Sequence, residues 1–135
     1  MIDSVHHVGI AVPDLAEAIA FYTERPGLEA VAVEPPPGSS MHFALIEMPG
    51  ADIELIAPAG PEAPITRFLD RRGPGVHHVA FGVADIISAM AVGAERGLQP
   101  LTPDPQPGIG RHLTCFFHPK DTLGVLIEYV EVGPQ

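Results

Sequence analysis

The stretch Val5-His6-His7-Val8-Gly9-Ile10-Ala11-Val12-Pro13-Asp14 returns later in the chain as Val76-His77-His78-Val79-Ala80-Phe81-Gly82-Val83-Ala84-Asp85. At an offset of 71 residues Val5, His6, His7, Val8, Val12 and Asp14 all recur. Further along, Ala18, Glu24 and Arg25 are matched by Ala89, Glu95 and Arg96, and Gly27-Leu28 by Gly97-Leu98, one residue closer. Agreement this extended implies a duplicated module of about half the chain. Two copies are too few for a stacked solenoid, which needs about three.

Both copies read in the same order. Residues 5–12 and 76–83 are β-rich and predict strands. Asp14 and Asp85 follow as candidate N-caps. Apolar residues spaced by three and four (Leu15, Ile19 and Tyr22, then Ile86, Met90 and their neighbours) predict a helix in each. Gly27 and Gly97 end those helices. Strands are then expected over 28–34, 41–48 and 52–57, and over 98–102, 111–117 and 124–131, with Pro49-Gly50 as a turn. A short helix over 63–72 links the copies. The fold class is therefore α+β: a single domain, 1–135, made of two βαβββ modules, 3–60 and 74–132, joined by a linker helix, 61–73.

Composition narrows the function. Of 135 residues, 46% are hydrophobic and 18% charged, enough for a real core and too apolar for disorder. The formal charge of −10 argues against nucleic acid, which needs clustered Lys and Arg. No apolar run is long enough to span a membrane, and no secretory signal is visible at Met1-Ile2-Asp3. Cys115 is the single cysteine, so an internal disulfide is impossible and a reducing, cytoplasmic setting is expected. Its natural reading is a small buried apolar residue.

Alternate side chains of a strand share a face. His7, Gly9 and Ala11 therefore lie on one face, with small residues leaving room for a ligand, and Val8, Ile10 and Val12 pack on the helix. His78, Ala80 and Gly82 repeat the pattern. By the same parity His6 and His77 face away and read as strand-edge or packing residues. Each copy ends on a strand with an acid among apolar neighbours: Ile53-Glu54-Leu55-Ile56 and Leu126-Ile127-Glu128-Tyr129-Val130. A buried carboxylate is normally paired or metal-bound. If the modules pack with two-fold symmetry, His7, Glu54, His78 and Glu128 converge on one point. Two imidazoles and two carboxylates suit a divalent ion of the Co, Mn, Fe, Ni or Zn type and are too nitrogen-rich for Ca or Mg. Glu131 is expected to point to solvent, and His118, before Pro119, to make a structural hydrogen bond.

These segments resemble the vicinal oxygen chelate superfamily (glyoxalase, bleomycin resistance, dioxygenase), and within it the methylmalonyl-CoA epimerase family. The resemblance runs through His7 to Leu15, Ile53 to Pro58, Gly75 to Phe81, and His118-Pro119-Lys120-Asp121 on to Glu128, with Pro64 to Leu69 resembling the epimerase linker. It implies a cup-shaped mixed sheet around a metal site. It maps His7, Glu54, His78 and Glu128 onto the metal ligands, and implies Co(II) as the usual metal. The implied activity is that of an isomerase: α-proton abstraction from an acyl-CoA thioester through a metal-stabilised enolate. Glu128 is the first candidate for the base and Glu54 the second.

One pattern in the family places another Glu on the strand before the Glu54 hairpin, and this chain has none at the expected face. Pairing through Pro49-Gly50 is expected to put His42, Ala44 and Ile46 on the Glu54 face, which makes His42 a candidate base and turns Glu47 outward. Lys120 and Arg67, the latter clustered with Arg71 and Arg72, are candidate contacts for CoA phosphates. A homodimer is expected. A glyoxalase I-like lyase would use the same four ligands. A ring-cleaving dioxygenase commonly uses two His and one carboxylate, and a drug-sequestering protein commonly loses the ligands, so both rank lower.

Overall fold

The structure, a computed structural model, describes residues 2–133. Met1, Pro134 and Gln135, the ends of the 1–135 domain, lie outside the described residues. The first half runs β1 (Ile2–Ala11), α1 (Leu15–Glu24), β2 (Val31–Val33), β3 (Met41–Ile46) and β4 (Asp52–Pro58). After α2 (Pro64–Arg72) come β5 (Gly75–Val83), α3 (Ile86–Glu95), β6 (Gln106–Pro107), β7 (Leu113–Phe116) and β8 (Ile127–Glu131). The order βαβββ thus occurs twice. No helix among the described residues is long and apolar enough to cross a membrane.

All eight strands form one mixed sheet in the order β2-β3-β4-β1-β5-β8-β7-β6. β1 and β5 pair antiparallel at its centre. Each is flanked by the parallel last strand of its own half, β4 beside β1 and β8 beside β5. The arrangement is symmetric about the β1–β5 seam, as a duplicated sequence requires.

The helices form where the repeat predicts them. Asp14 and Asp85 are extended, and their carboxylates accept from the backbone N–H of Glu17 and Ser88. Gly27 and Gly97 follow the helices in the left-handed region, where the chain reverses without a Cβ clash. One face of the sheet packs on α1 through Val12, Ala18, Ala44, Ile46 and Leu55. It packs on α3 through Val83, Ile86, Met90, Cys115, Phe117 and Tyr129. α2 crosses the other face and buries Ile65 with Ala11, Phe43 and Ile56.

The second half departs from expectation in two places. No strand forms over 98–102: Pro100 makes one isolated bridge to Phe117, and the edge strand is only Gln106–Pro107. Pro100, Pro103, Pro105 and Pro107 each lack the N–H that a ladder needs. Glu131 does not simply face water, because its Oε2 accepts from Ile86 N–H at 2.9 Å and caps the start of α3. His118 is tied down through its backbone, donating to the Gln99 carbonyl and accepting from Asp121 N–H.

Candidate metal centre

Strand pairing brings the four residues together. Gly9 lies opposite Glu54 in the β1–β4 ladder and opposite His78 in the β1–β5 ladder. Ala80 lies opposite His7 on one side and Glu128 on the other. The side chains meet over the β1–β5 seam and are all buried: His7 is 4%, Glu54 8%, His78 2% and Glu128 6% exposed. Nε2 of His7 is 3.0 Å from Nε2 of His78. It is also 3.2 Å from Glu54 Oε2 and 3.1 Å from Glu128 Oε1, and the latter is 3.2 Å from His78 Nε2.

Gly9 has a specific part in this. The small residue expected to leave room for a ligand instead makes room for the His78 ring. A Cβ at position 9 would lie 2.5 Å from His78 Nδ1 and 2.7 Å from its Nε2.

The electrostatics suit a cation. Glu128 Oε1 is buried close to two imidazoles yet accepts no hydrogen bond of acceptable geometry, which leaves a buried anionic oxygen unsatisfied. Burial, together with the charge of Glu128, raises the Glu54 carboxyl above its ordinary range despite His7. Burial works against a charged His7, but Glu128 and Glu54 beside it outweigh that and raise the imidazole. Burial likewise opposes ionisation of Glu128, and its contacts with His7 and His78 overcome this and lower it. Donors bonded to one ion at about 2.0–2.2 Å sit roughly 2.8–3.6 Å from their neighbours, the lower end for octahedral and the upper for tetrahedral angles. The observed spacings of 3.0 to 3.2 Å match, and His7, Glu54 and His78 bring donor atoms within 4.8 Å of one another. The residues present therefore fit a divalent ion of the borderline class.

The four side chains form the floor of a cavity of about 150 Å³ that opens to solvent. Its walls include Met41, Phe43 and Ile56 on one side, and Ile109, His112, Thr114 and Phe116 on the other. Pro64, His77 and His78 are shared with an adjoining groove lined by Arg67, Arg71 and Arg72. Arg67 therefore faces a groove beside the site. Lys120 is exposed on the turn Pro119–Asp121, next to Pro119, which lines that groove.

Two sequence readings need correction. His42 is exposed and does not line the cavity. Leu45, not Ala44 or Ile46, pairs with Glu54, so Met41, Phe43 and Leu45 share the Glu54 face and His42 turns away. A one-residue difference in register exchanges the faces of a whole strand. His6 and His77 do not face away, since both line the cavity beside His7 and His78. Burial, followed by the neighbouring His78, pushes His77 down to about 4, and burial with His7 lowers His6, so both rings are neutral near pH 7. Their signal in the sequence was the repeated His-His pair itself. His112 and Phe43 carried no such signal, because neither belongs to a repeated segment.

The profile of the Glyoxalase/Bleomycin resistance protein/Dioxygenase superfamily matches residues 6–116. The chain is 38% identical to an ethylmalonyl-CoA/methylmalonyl-CoA epimerase of Cereibacter sphaeroides, over 98% of this chain and 100% of the relative. The methylmalonyl-CoA epimerase of Mycobacterium tuberculosis is similar in structure, with TM-score 0.87, 35% identity, and coverage of 98% of this chain and 90% of that one. A variant of the Streptomyces coelicolor methylmalonyl-CoA epimerase, solved in complex with 2-nitronate-propionyl-CoA, is similar at TM-score 0.91 and 29% identity, covering 97% and 95%.

Proposed function

The chain belongs to the glyoxalase/bleomycin resistance protein/dioxygenase superfamily, and from that premise we propose that it is an isomerase, a metal-dependent epimerase that interconverts the stereoisomers of methylmalonyl-CoA or a close acyl-CoA. The observation that carries this reading is the adjacency of two spaces. A mostly apolar cavity floored by the four candidate donors shares Pro64, His77 and His78 with a neighbouring groove lined by three arginines. A small branched acyl group fits the first, and the anionic phosphates of CoA suit the second. Arg67 is assigned to those phosphates, with Lys120 at the rim. The same donors would serve a glyoxalase-type lyase, but the arginine groove favours the CoA thioester.

The proton between a thioester carbonyl and a carboxylate is only weakly acidic. His7, Glu54, His78 and Glu128 would hold a divalent ion, which would supply Lewis acidity toward the substrate's oxygens. The rest falls to the protein's own groups. Phe43, Ile56 and Phe116 exclude water from the reacting carbon. Glu128 is assigned removal of the proton, with Glu54 as the alternative. With His42 on the far face of the sheet, His112 is assigned the return of a proton from the β7 side of the cavity. Co(II) as the metal, a homodimeric state and a cytoplasmic setting belong to the same proposal.

The test is exchange of the α-proton of methylmalonyl-CoA in deuterated water, with and without added Co(II). Exchange coupled to interconversion of the stereoisomers is expected. No exchange under either condition would sink the epimerase reading. In the same assay His112→Ala should retain exchange from one stereoisomer and lose interconversion; unimpaired interconversion would remove His112 from the mechanism.

A further inference from the structure

His6 and His77 hold equivalent places in the two copies and lie outside the four-donor set. The β1–β5 ladder explains why they reach the site at all. Val5 pairs with Phe81 and His7 with Ala80, so His6 is an extra residue in β1. Gly9 pairs with His78 and Ile10 with Val76, so His77 is an extra residue in β5. Each is the inserted residue of a β-bulge, and a bulge re-aims a side chain that a regular strand would send to the opposite face. As a result Nδ1 of His6 lies 2.7 Å from Nδ1 of His7, and Nδ1 of His77 lies 2.9 Å from Nδ1 of His78. The other ring nitrogen of His7 and of His78, Nε2, is the one that faces the carboxylates.

We propose that His6 and His77 are positioning residues that fix the tautomer and ring plane of the two imidazole donors. The assignment rests on reading the four residues as a metal centre. A ring nitrogen that binds a cation presents its lone pair, so in His7 and His78 the hydrogen sits on Nδ1. That N–H donates to Nδ1 of the preceding residue, which must present a lone pair. His6 and His77 therefore carry their own hydrogen on Nε2. Metal-bound histidines ordinarily donate this second N–H to a carboxylate, a carbonyl or water. Here an adjacent imidazole accepts it, once in each copy. The accepting ring of His77 is itself held edge-on to Phe68, with centroids 5.0 Å apart.

The test uses the full chain and titrates Co(II) against a competing chelator. His6→Phe and His77→Phe keep a ring and lose the acceptor; each should weaken Co(II) by about 10- to 100-fold. His6→Asn and His77→Asn return an acceptor oxygen near the Nδ1 position and should recover most of the affinity. In the Zn(II)-loaded parent, nitrogen NMR should show Nδ1–H on His7 and His78 and Nε2–H on His6 and His77. Equal affinity in the parent and the Phe variants overturns the assignment alone, as does equal loss in the Phe and Asn variants. Failure of the parent to bind Co(II) overturns the metal reading, and this assignment with it. If the Phe variants do not fold, the NMR decides: Nδ1–H on His6 and His77 overturns the proposal.

Discussion

Replacing Gly9 by Ala tests the packing under the site with a single methyl group. Gly9 sits directly across the β1–β5 seam from His78, and the imidazole leans over it. The new Cβ would lie 2.5 Å from His78 Nδ1, whereas ordinary contact begins near 3.4 Å. The ring, whose Cε1 is nearer still, must therefore retreat by at least about 0.9 Å. It has little freedom to do so cheaply, being 2% exposed, bonded to His77 at 2.9 Å and packed edge-on to Phe116 at 5.3 Å. Metal–ligand distances tolerate only about 0.2 Å, so the shift removes His78 from the donor set. Co(II) affinity should fall by about 100-fold or more, in line with the 10- to 100-fold cost of lesser, outer-shell disturbances. Overpacking should also cost about 1–3 kcal/mol, which lowers the melting temperature by roughly 4 °C per kcal/mol. Gly75→Ala, whose Cβ meets nothing within 4 Å, is the control and should leave both quantities unchanged. The assay is chelator competition for Co(II) alongside thermal unfolding of the metal-free proteins. Parental Co(II) affinity in Gly9→Ala would refute the claim that His78 needs the space above residue 9.

Neutralising the groove, by Arg67→Gln with Arg71→Gln and Arg72→Gln, should raise KM for an acyl-CoA by about tenfold, with kcat within about twofold and a smaller difference at high salt. An unchanged KM would remove these residues from substrate binding. Burial, then the charge of Glu128, pushes the Cys115 thiol up to about 11, so the reactive thiolate is scarce at pH 8 and grows only as the pH approaches that value. Iodoacetamide should therefore label the native protein slowly at pH 8 and the guanidine-unfolded protein to one equivalent; fast labelling of the native state would contradict the burial of Cys115.

The duplicated segment made the architecture legible because strand, cap and helix each appear twice, and agreement between copies compensates for the weakness of any one signal. Glu54 and Glu128 were legible for a related reason: an acid among Ile and Leu on a core strand has few alternatives to a partner or a metal. Register was not legible. Pro49-Gly50 marks the β3–β4 turn, but whether Ala44 or Leu45 opposes Glu54 depends on one residue of loop, and that choice decided whether His42 or Phe43 entered the cavity. The strand expected over 98–102, in step with 28–34 of the first half, runs into the proline-rich stretch from Pro100 to Pro107. There the shortage of N–H donors overrode the repeat.

Parity failed at His6 and His77 for a reason that bears on the site itself. Alternation is a property of a regular ladder, and the β1–β5 ladder is interrupted at those two histidines. The interruptions fall at the seam where the halves meet, and neither half holds more than one His and one Glu of the donor set. Two such ligands make a poor site; four make a complete one. The four candidate donors therefore come together only when β1 pairs with β5, the most extensive strand pairing among the described residues. An ion bound there belongs to the paired state and is lost with it. Binding should then stabilise the folded chain as a whole, by about 2.7 kcal/mol at a free metal concentration 100 times Kd. The bulges that spoil the strand pattern sit beside the ligands whose convergence depends on that same pairing.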